Sequence, residues 1–396
     1  MTEYAEIEER HSSGGVARRP VVLVRGEGAR LFDQEGREYL DLGGAHGWAS
    51  LGHSHPAIVR AIAEQSARLI MQLESSYNDQ RALWFADLAA VLREHLGQTD
   101  RGAITRIHPC NSGAEAVEAA LKFARKATGR TKFVALLGGF HGRTLGALSA
   151  TGTEQYRKPF EPLVPGFTHV APDDVAALRA AVTEETAAVV LEIIQGEAGV
   201  RPLSAEFLRA ARRRCDETGA LLIIDEIQTG LGRTGRWFAC EHFDLAPDVV
   251  VLGKALGGGI PMGAAAWREG LGKFDPGTHG STFGGNPLAC AASRAALRVI
   301  REESLPQKAA ELGTWAMEEL RSIDSPVVEE VRGRGLMIGI ALKQPVTPIL
   351  KELMSRGVWA IPAGRQVLRL LPPLTISRDD LERGLEIVKD VLEERR

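Results

Sequence analysis

Leu221-Leu222-Ile223-Ile224-Asp225-Glu226-Ile227-Gln228 and Val249-Val250-Val251-Leu252-Gly253-Lys254-Ala255-Leu256-Gly257-Gly258-Gly259 decide the fold. Each opens on a short unbroken apolar run, without the period-two alternation of a half-exposed strand. Such runs predict strands buried on both faces of a mostly parallel sheet, with helices packed above and below. Lys132-Phe133-Val134-Ala135-Leu136-Leu137 and Ala187-Ala188-Val189-Val190-Leu191 repeat the pattern, and from about residue 80 to 290 such runs alternate with helical periodicity. The fold class is therefore α/β. In sheets of this kind ligands bind beyond the carboxyl ends of the strands, the edge where Asp225 and Lys254 stand.

Outward from this centre the pattern changes. Val21-Val22-Leu23-Val24, Ala29-Arg30-Leu31-Phe32 and Glu38-Tyr39-Leu40-Asp41-Leu42 read as short antiparallel strands joined by glycine-containing turns, and a helix is predicted from Pro56. On the C-terminal side, helical patterns at about 288–302 and 306–322 precede strand-like Val327–Val331 and Leu336–Leu342. A closing helix starts at Ser377, with Asp380 at capping-box spacing and Leu381, Leu385, Val388 and Leu392 on one face. The expected organisation is an N-terminal segment, 1–55, that joins a smaller α+β domain at 288–396, with a large domain at 56–287 between them.

The 396 residues allow about two to three domains and a large core. With 44% hydrophobic and 25% charged residues the composition is that of a globular enzyme, and a net charge of −3 gives no basic surplus for nucleic acid or an anionic membrane. Cys110, Cys215, Cys240 and Cys290 show no C-x-x-C spacing, so neither a disulfide framework nor a zinc ribbon is indicated. The acidic N-terminus lacks the features of a signal peptide, and no apolar stretch reaches membrane-spanning length. The expected setting is a reducing cytoplasm.

A lysine at the end of a buried strand is partly desolvated, which lowers its pKa and frees the amine to condense with an aldehyde. Lys254, paired with an acid at a neighbouring strand end, Asp225, points to pyridoxal phosphate, whose Schiff-base lysine works with an acid that holds the pyridinium proton. Asn111-Ser112-Gly113-Ala114-Glu115 opens a helix, and Gly113 would let a phosphate approach its free N–H groups. Gly138-Gly139-Phe140-His141-Gly142-Arg143-Thr144 follows a strand; Phe140 can stack on a cofactor ring and Arg143 can fork a substrate carboxylate. Leu191-Glu192-Ile193-Ile194-Gln195-Gly196-Glu197 brings two carboxylates to the same edge, of which Glu192 reads as a loop-holding residue and Glu197 as a site residue. His53 and His55 supply only two ligands at unsuitable spacing, so helix entry is preferred to a metal site there.

These segments, together with Asp225–Gly235, Gly253–Gly259, His279–Pro287 and Arg369–Leu374, run in order over nearly the whole chain. The sequence resembles the class III, or ω-amino, aminotransferases of fold type I, in particular the acetylornithine, ornithine and carrier-protein-linked lysine enzymes. The resemblance implies that Lys254 binds the cofactor and moves the proton, that Asp225 keeps the ring nitrogen protonated, and that Gln228 bonds the phenolate oxygen. It also implies that Ser112, Gly113 and Ala114 form the phosphate end, and that Thr282 reaches the phosphate of a neighbouring subunit while Ser281 faces substrate. Arg143 would hold the α-carboxylate of an ω-amino donor. Arg369, released by Glu197, would hold that of glutamate. His46 stands where ornithine-type relatives carry tyrosine.

The implied enzyme is a homodimer with shared active sites. It moves the ω-amino group of an N-blocked basic amino acid, N-acetylornithine or a carrier-linked lysine, to 2-oxoglutarate in arginine or lysine biosynthesis. An amino-group carrier protein is a candidate partner; ornithine and 4-aminobutyrate are alternative donors. A glutamate-semialdehyde aminomutase would not need the Arg143, Glu197 and Arg369 set, and a non-catalytic regulator would need an added module for which the chain has no room. The glycines after Lys254 match neither the dinucleotide fingerprint nor P-loop spacing.

Overall fold

The computed structural model describes residues 2–96 and 101–395. Its centre is a sheet of seven strands in the order Ile104–Cys110, Gly263–Arg268, Val249–Leu252, Leu221–Asp225, Thr186–Leu191, Lys132–Leu136 and Phe167–Val170. Gly263–Arg268 runs antiparallel to both its neighbours, and the remaining pairings are parallel. Thr186–Leu191, Leu221–Asp225 and Val249–Leu252 are buried at every position. Their lack of alternation thus has the physical cause expected of it: helices cover both faces.

The helix Gly113–Thr128 packs one face of this sheet through Ala116, Val117, Ala120, Phe123 and Ala124. Small residues let it approach closely, and Phe123 stacks on Trp267 with ring centroids 3.9 Å apart. Ser112 caps its start by accepting from the Glu115 N–H, and Gly129 ends it in the left-handed conformation at φ 70°. The Glu115 carboxylate does not close a capping box on Ser112. It reaches one residue further out, to the Asn111 N–H at 2.6 Å.

The first and last parts of the chain share a sheet. Leu23–Glu27, Arg30–Asp33 and Glu38–Asp41 form an antiparallel meander, and Val358–Trp359 adds to its far edge in parallel. The first hairpin turns at Gly28-Ala29, taking in the first residue of the strand predicted at Ala29–Phe32, because Gly28 at φ 55° supplies the backbone a two-residue turn needs. A further antiparallel sheet joins Val328–Arg334, Met337–Leu342, Val367–Leu370 and Ile361–Pro362. The closing helix, Arg378–Glu393, is capped by Ser377 and buries Leu381, Leu385, Val388 and Leu392. A short helix at Glu3–His11 has no buried residue.

His55 caps the helix Pro56–Ser66 through Nδ1, and His53 Nε2 lies 2.8 Å from Asp41 Oδ2. Among the described residues no cluster of three or more His, Cys, Asp or Glu is placed to hold a metal ion, and no helix is long and apolar enough to cross a membrane. All four cysteines are buried and free.

Candidate active site

Because the parallel strands share a direction, the loops after Leu136, Leu191, Asp225 and Leu252 leave the sheet at one edge. Between them lies a cavity of about 320 Å3, within the small-molecule range, whose wall includes Gly113, Ala114, Phe140, Arg143, Glu197, Asp225, Gln228 and Lys254. Eight of the twelve residues singled out in the sequence thus meet in one space, drawn from stretches more than a hundred residues apart.

Lys254 begins a 3-10 turn after Val249–Leu252 with φ 46°, a left-handed conformation costing a non-glycine residue roughly 1–2 kcal/mol. Its side chain is half-buried. Desolvation, reinforced by the charge of Arg369, lowers its pKa to about 8. Near physiological pH an appreciable minority of the amine is therefore neutral, far more than for an ordinary lysine, and the neutral form is the one that acts as a nucleophile or proton acceptor.

Asp225 is buried at the end of its strand. Oδ1 accepts from the Ile227 N–H at 3.0 Å and Oδ2 from His141 Nδ1 at 2.8 Å. A carboxylate only accepts, so Nδ1 carries the proton. Desolvation opposes a charge on His141, but Asp225 outweighs it and raises the imidazole pKa. His141 Nε2 is buried without a partner among the described residues. Sequence reasoning quoted His141 but gave it no role, because its partner lies 84 residues away and no local spacing announces it.

Glu192 does what its loop-holding reading requires: one oxygen accepts from the Phe140 N–H at 3.0 Å and the other from the Gly196 N–H at 3.1 Å. Burial raises its pKa. Phe140 is half-buried, edge-on to Tyr156, and exposed Arg143 lies over the Tyr156 ring at 4.0 Å.

Arg369 is completely buried, behind the wall rather than on it. Its Nη1 donates to Glu197 Oε1 at 2.7 Å and to Gln228 Oε1 at 3.3 Å, while Nη2 lies 3.1 Å from His46 Nδ1. Burial alone would raise the Glu197 pKa; the charge and hydrogen bond of Arg369 outweigh it and hold that carboxyl below its ordinary value. Gln228 is also committed through Nε2, which donates to the His46 carbonyl at 3.2 Å.

Three other residues singled out in the sequence lie off the wall. The Ser112 hydroxyl accepts the helix cap and its residue is exposed. Ser281 Oγ accepts from Asn111 Nδ2 at 3.0 Å and from the Gly284 N–H at 2.9 Å. Thr282 is exposed and does not border this chain's own cavity.

The donor set fits pyridoxal phosphate. No backbone partner is recorded among the described residues for the Gly113 and Ala114 N–H groups at the start of a sixteen-residue helix. A methyl at Gly113 would stand 2.8 Å from Ile227 Cδ1, so a larger residue there would have to push the Ile227 side chain aside. A buried carboxylate, an aromatic ring and a depressed lysine complete the set.

Comparison with known proteins agrees with this geometry. The aminotransferase class-III family matches residues 12–392. Acetylornithine aminotransferase of Methanopyrus kandleri is 48% identical over 390 residues, 98% of this chain and 98% of that protein. LysW-aminoadipate semialdehyde transaminase of Deinococcus radiodurans is 45% identical over 395 residues, 99% of this chain and 90% of that one. The crystal structure of ornithine aminotransferase from Toxoplasma gondii ME49 superposes with a TM-score of 0.92 at 34% identity, covering 99% of this chain and 96% of that chain.

Proposed function

The chain belongs to the class III aminotransferases, a pyridoxal-phosphate-dependent family, and from that premise we propose that it moves the ω-amino group of an N-blocked basic amino acid to 2-oxoglutarate. The observation that carries this reading is the composition of one cavity: Lys254 shares it with Arg143, an accessible fork for a carboxylate, and with Glu197, whose carboxylate neutralises a second, buried arginine. One site then offers two arginines for two kinds of substrate, Arg143 open throughout and Arg369 open only when Glu197 leaves it.

When bound, pyridoxal phosphate supplies the carbonyl that receives the amino group and the ring that takes up the electron pair. The Gly113 and Ala114 N–H groups would hold its phosphate, and Phe140 would pack against its ring. Asp225, fixed by the His141 and Ile227 donors, would accept from the protonated ring nitrogen and keep a proton there. Lys254 Nζ removes the proton from the substrate carbon bearing the amine and delivers it on the other side of the transfer.

In the donor half, Arg143 pairs with the α-carboxylate of the blocked diamine, so the distal amine is the end that reaches Lys254. Glu197 stays on Arg369 and cancels its charge. In the acceptor half, Glu197 withdraws and Arg369 takes the α-carboxylate of glutamate or 2-oxoglutarate. The relatives named for acetylornithine and for LysW-aminoadipate semialdehyde support a blocked donor in arginine or lysine biosynthesis, with a carrier protein as candidate partner for the latter. Free ornithine is the second reading, favoured by the structural likeness to an ornithine aminotransferase.

A dimer is part of this proposal. Leu69, Ile70, Met71, Leu73 and Tyr77 form an exposed apolar run of the kind that marks an interface. Glu74 within it accepts from the Ser281 N–H, which places Thr282 beside the run. Thr282 is then available to a second subunit's phosphate.

The test compares kcat/KM for N-acetylornithine, an α-blocked lysine, ornithine and 4-aminobutyrate with 2-oxoglutarate as acceptor, on holoenzyme that sediments as two chains. A blocked diamine is expected to lead by at least tenfold. A lead for free ornithine or 4-aminobutyrate would replace the proposed donor.

A further inference from the structure

Among the described residues the buried guanidinium of Arg369 has three partners, of which Glu197 is one. Arginine can only donate, so the 3.1 Å contact between Nη2 and His46 Nδ1 fixes that ring as neutral, with its proton on Nε2. Desolvation of the ring and the charge of Arg369 lower the His46 pKa, consistent with that state; Glu197, Lys254 and Arg19 are the other charges that act on it.

The rest of the local structure is organised to present this imidazole. Gly44, Ala45, His46 and Gly47 have φ of 51°, 48°, 59° and 88°, four successive left-handed residues of which two are not glycine. Asp41 holds the loop, accepting through Oδ1 from the Gly43 and Gly44 N–H groups and through Oδ2 from His53. The His46 carbonyl accepts from Gln228 Nε2, and Gln228 Oε1 accepts from Arg369. His46, Gln228 and Arg369 therefore close a ring of hydrogen bonds that does not pass through Glu197. A conformation unfavourable for side chains, held from both ends, marks a loop whose shape is set by its surroundings.

We propose that His46 is a positioning residue for the acceptor half of the reaction, its Nδ1 holding the Arg369 guanidinium in place when Glu197 leaves. This rests on the assignment of Arg369 to the acceptor carboxylate. While Glu197 is paired, His46 is one support among several. Once Glu197 has moved, Nη1 keeps only the long bond to Gln228, and Nη2 without His46 has no partner among the described residues in a fully buried position. The donor half, in which Glu197 stays in place, does not depend on His46 in this way.

Three variants of the holoenzyme test it. His46→Gly keeps the left-handed backbone and removes the acceptor. His46→Asn keeps both, since asparagine tolerates this backbone and its Oδ1 can stand for Nδ1. Arg369→Lys tests the assignment beneath the proposal. The expected result is that H46G raises KM for 2-oxoglutarate by about tenfold, the worth of one charge-assisted hydrogen bond. KM for N-acetylornithine should change less than twofold, and H46N should restore the acceptor value. An H46G protein with unchanged KM for 2-oxoglutarate, or with equal rises for both substrates, overturns the role of His46. If R369K leaves KM for 2-oxoglutarate untouched, the assignment of Arg369 falls and the His46 proposal with it; if R369K raises it and H46G does not, only the His46 proposal falls.

Discussion

Lys254 shows how much a single residue's setting decides. An ordinary lysine amine, with a pKa near 10.5, is almost wholly protonated at neutral pH; here desolvation and Arg369 bring it to about 8. A protonated amine has no lone pair to offer, so the rate at which cofactor-free protein takes up pyridoxal phosphate should climb with pH up to about 8 and level off above it. Stopped-flow absorbance reads this directly; a rate still rising tenfold per pH unit beyond 9 would mean the amine is not depressed. Lys254 and Asp225 were legible in the sequence because each ends an unbroken apolar run, and burial at a strand end is itself the cause of reactivity. His141 and His46 were not assigned these contacts, since Asp225 and Arg369 reach them only through the fold.

At the scale of the element, the strands that carry the site declared themselves through β-branched runs buried on both faces. Gly263–Arg268 did not: Gly-Ala-Ala-Ala-Trp-Arg lacks branched residues because Gly113–Thr128 packs against that strand, and small side chains make room for it. The same helix gives Ser112 a second role beside the one the resemblance implies. Its hydroxyl accepts at the cap, so at least part of its effect on the cofactor passes through the helix end it stabilises. Ser112→Ala should therefore lower unfolding stability by about 1 kcal/mol in urea denaturation. Loss of cofactor affinity in S112A without any loss of stability would leave direct contact as its only role.

At the scale of the whole molecule, the site is assembled from two sheets. The strand ends of the large sheet supply Asp225 and Lys254, Glu197 stands in the connection between the short paired strands Ile194–Gln195 and Arg201–Pro202 that follow Thr186–Leu191, and Arg369 belongs to the antiparallel sheet of the C-terminal part and pairs with Gly339 across it. The 2.7 Å ion pair between Glu197 and Arg369 therefore joins the two parts of the chain, and in the proposed function it also sets which carboxylate can bind. Sequence order alone could not show this closure; it needed the family resemblance, and the pairing distance gives it a physical form. In the proposed function one cavity serves two half-reactions because Arg369 is covered in the first and uncovered in the second.

The most direct test follows the visible cofactor absorbance of wild-type and Glu197→Gln holoenzyme through each half-reaction separately, first with N-acetylornithine and then with 2-oxoglutarate. A neutral amide can no longer cancel the Arg369 charge, so the donor half should slow relative to the acceptor half by roughly tenfold or more, the scale of a lost charge-assisted hydrogen bond. An unchanged ratio of the two rates would contradict the account.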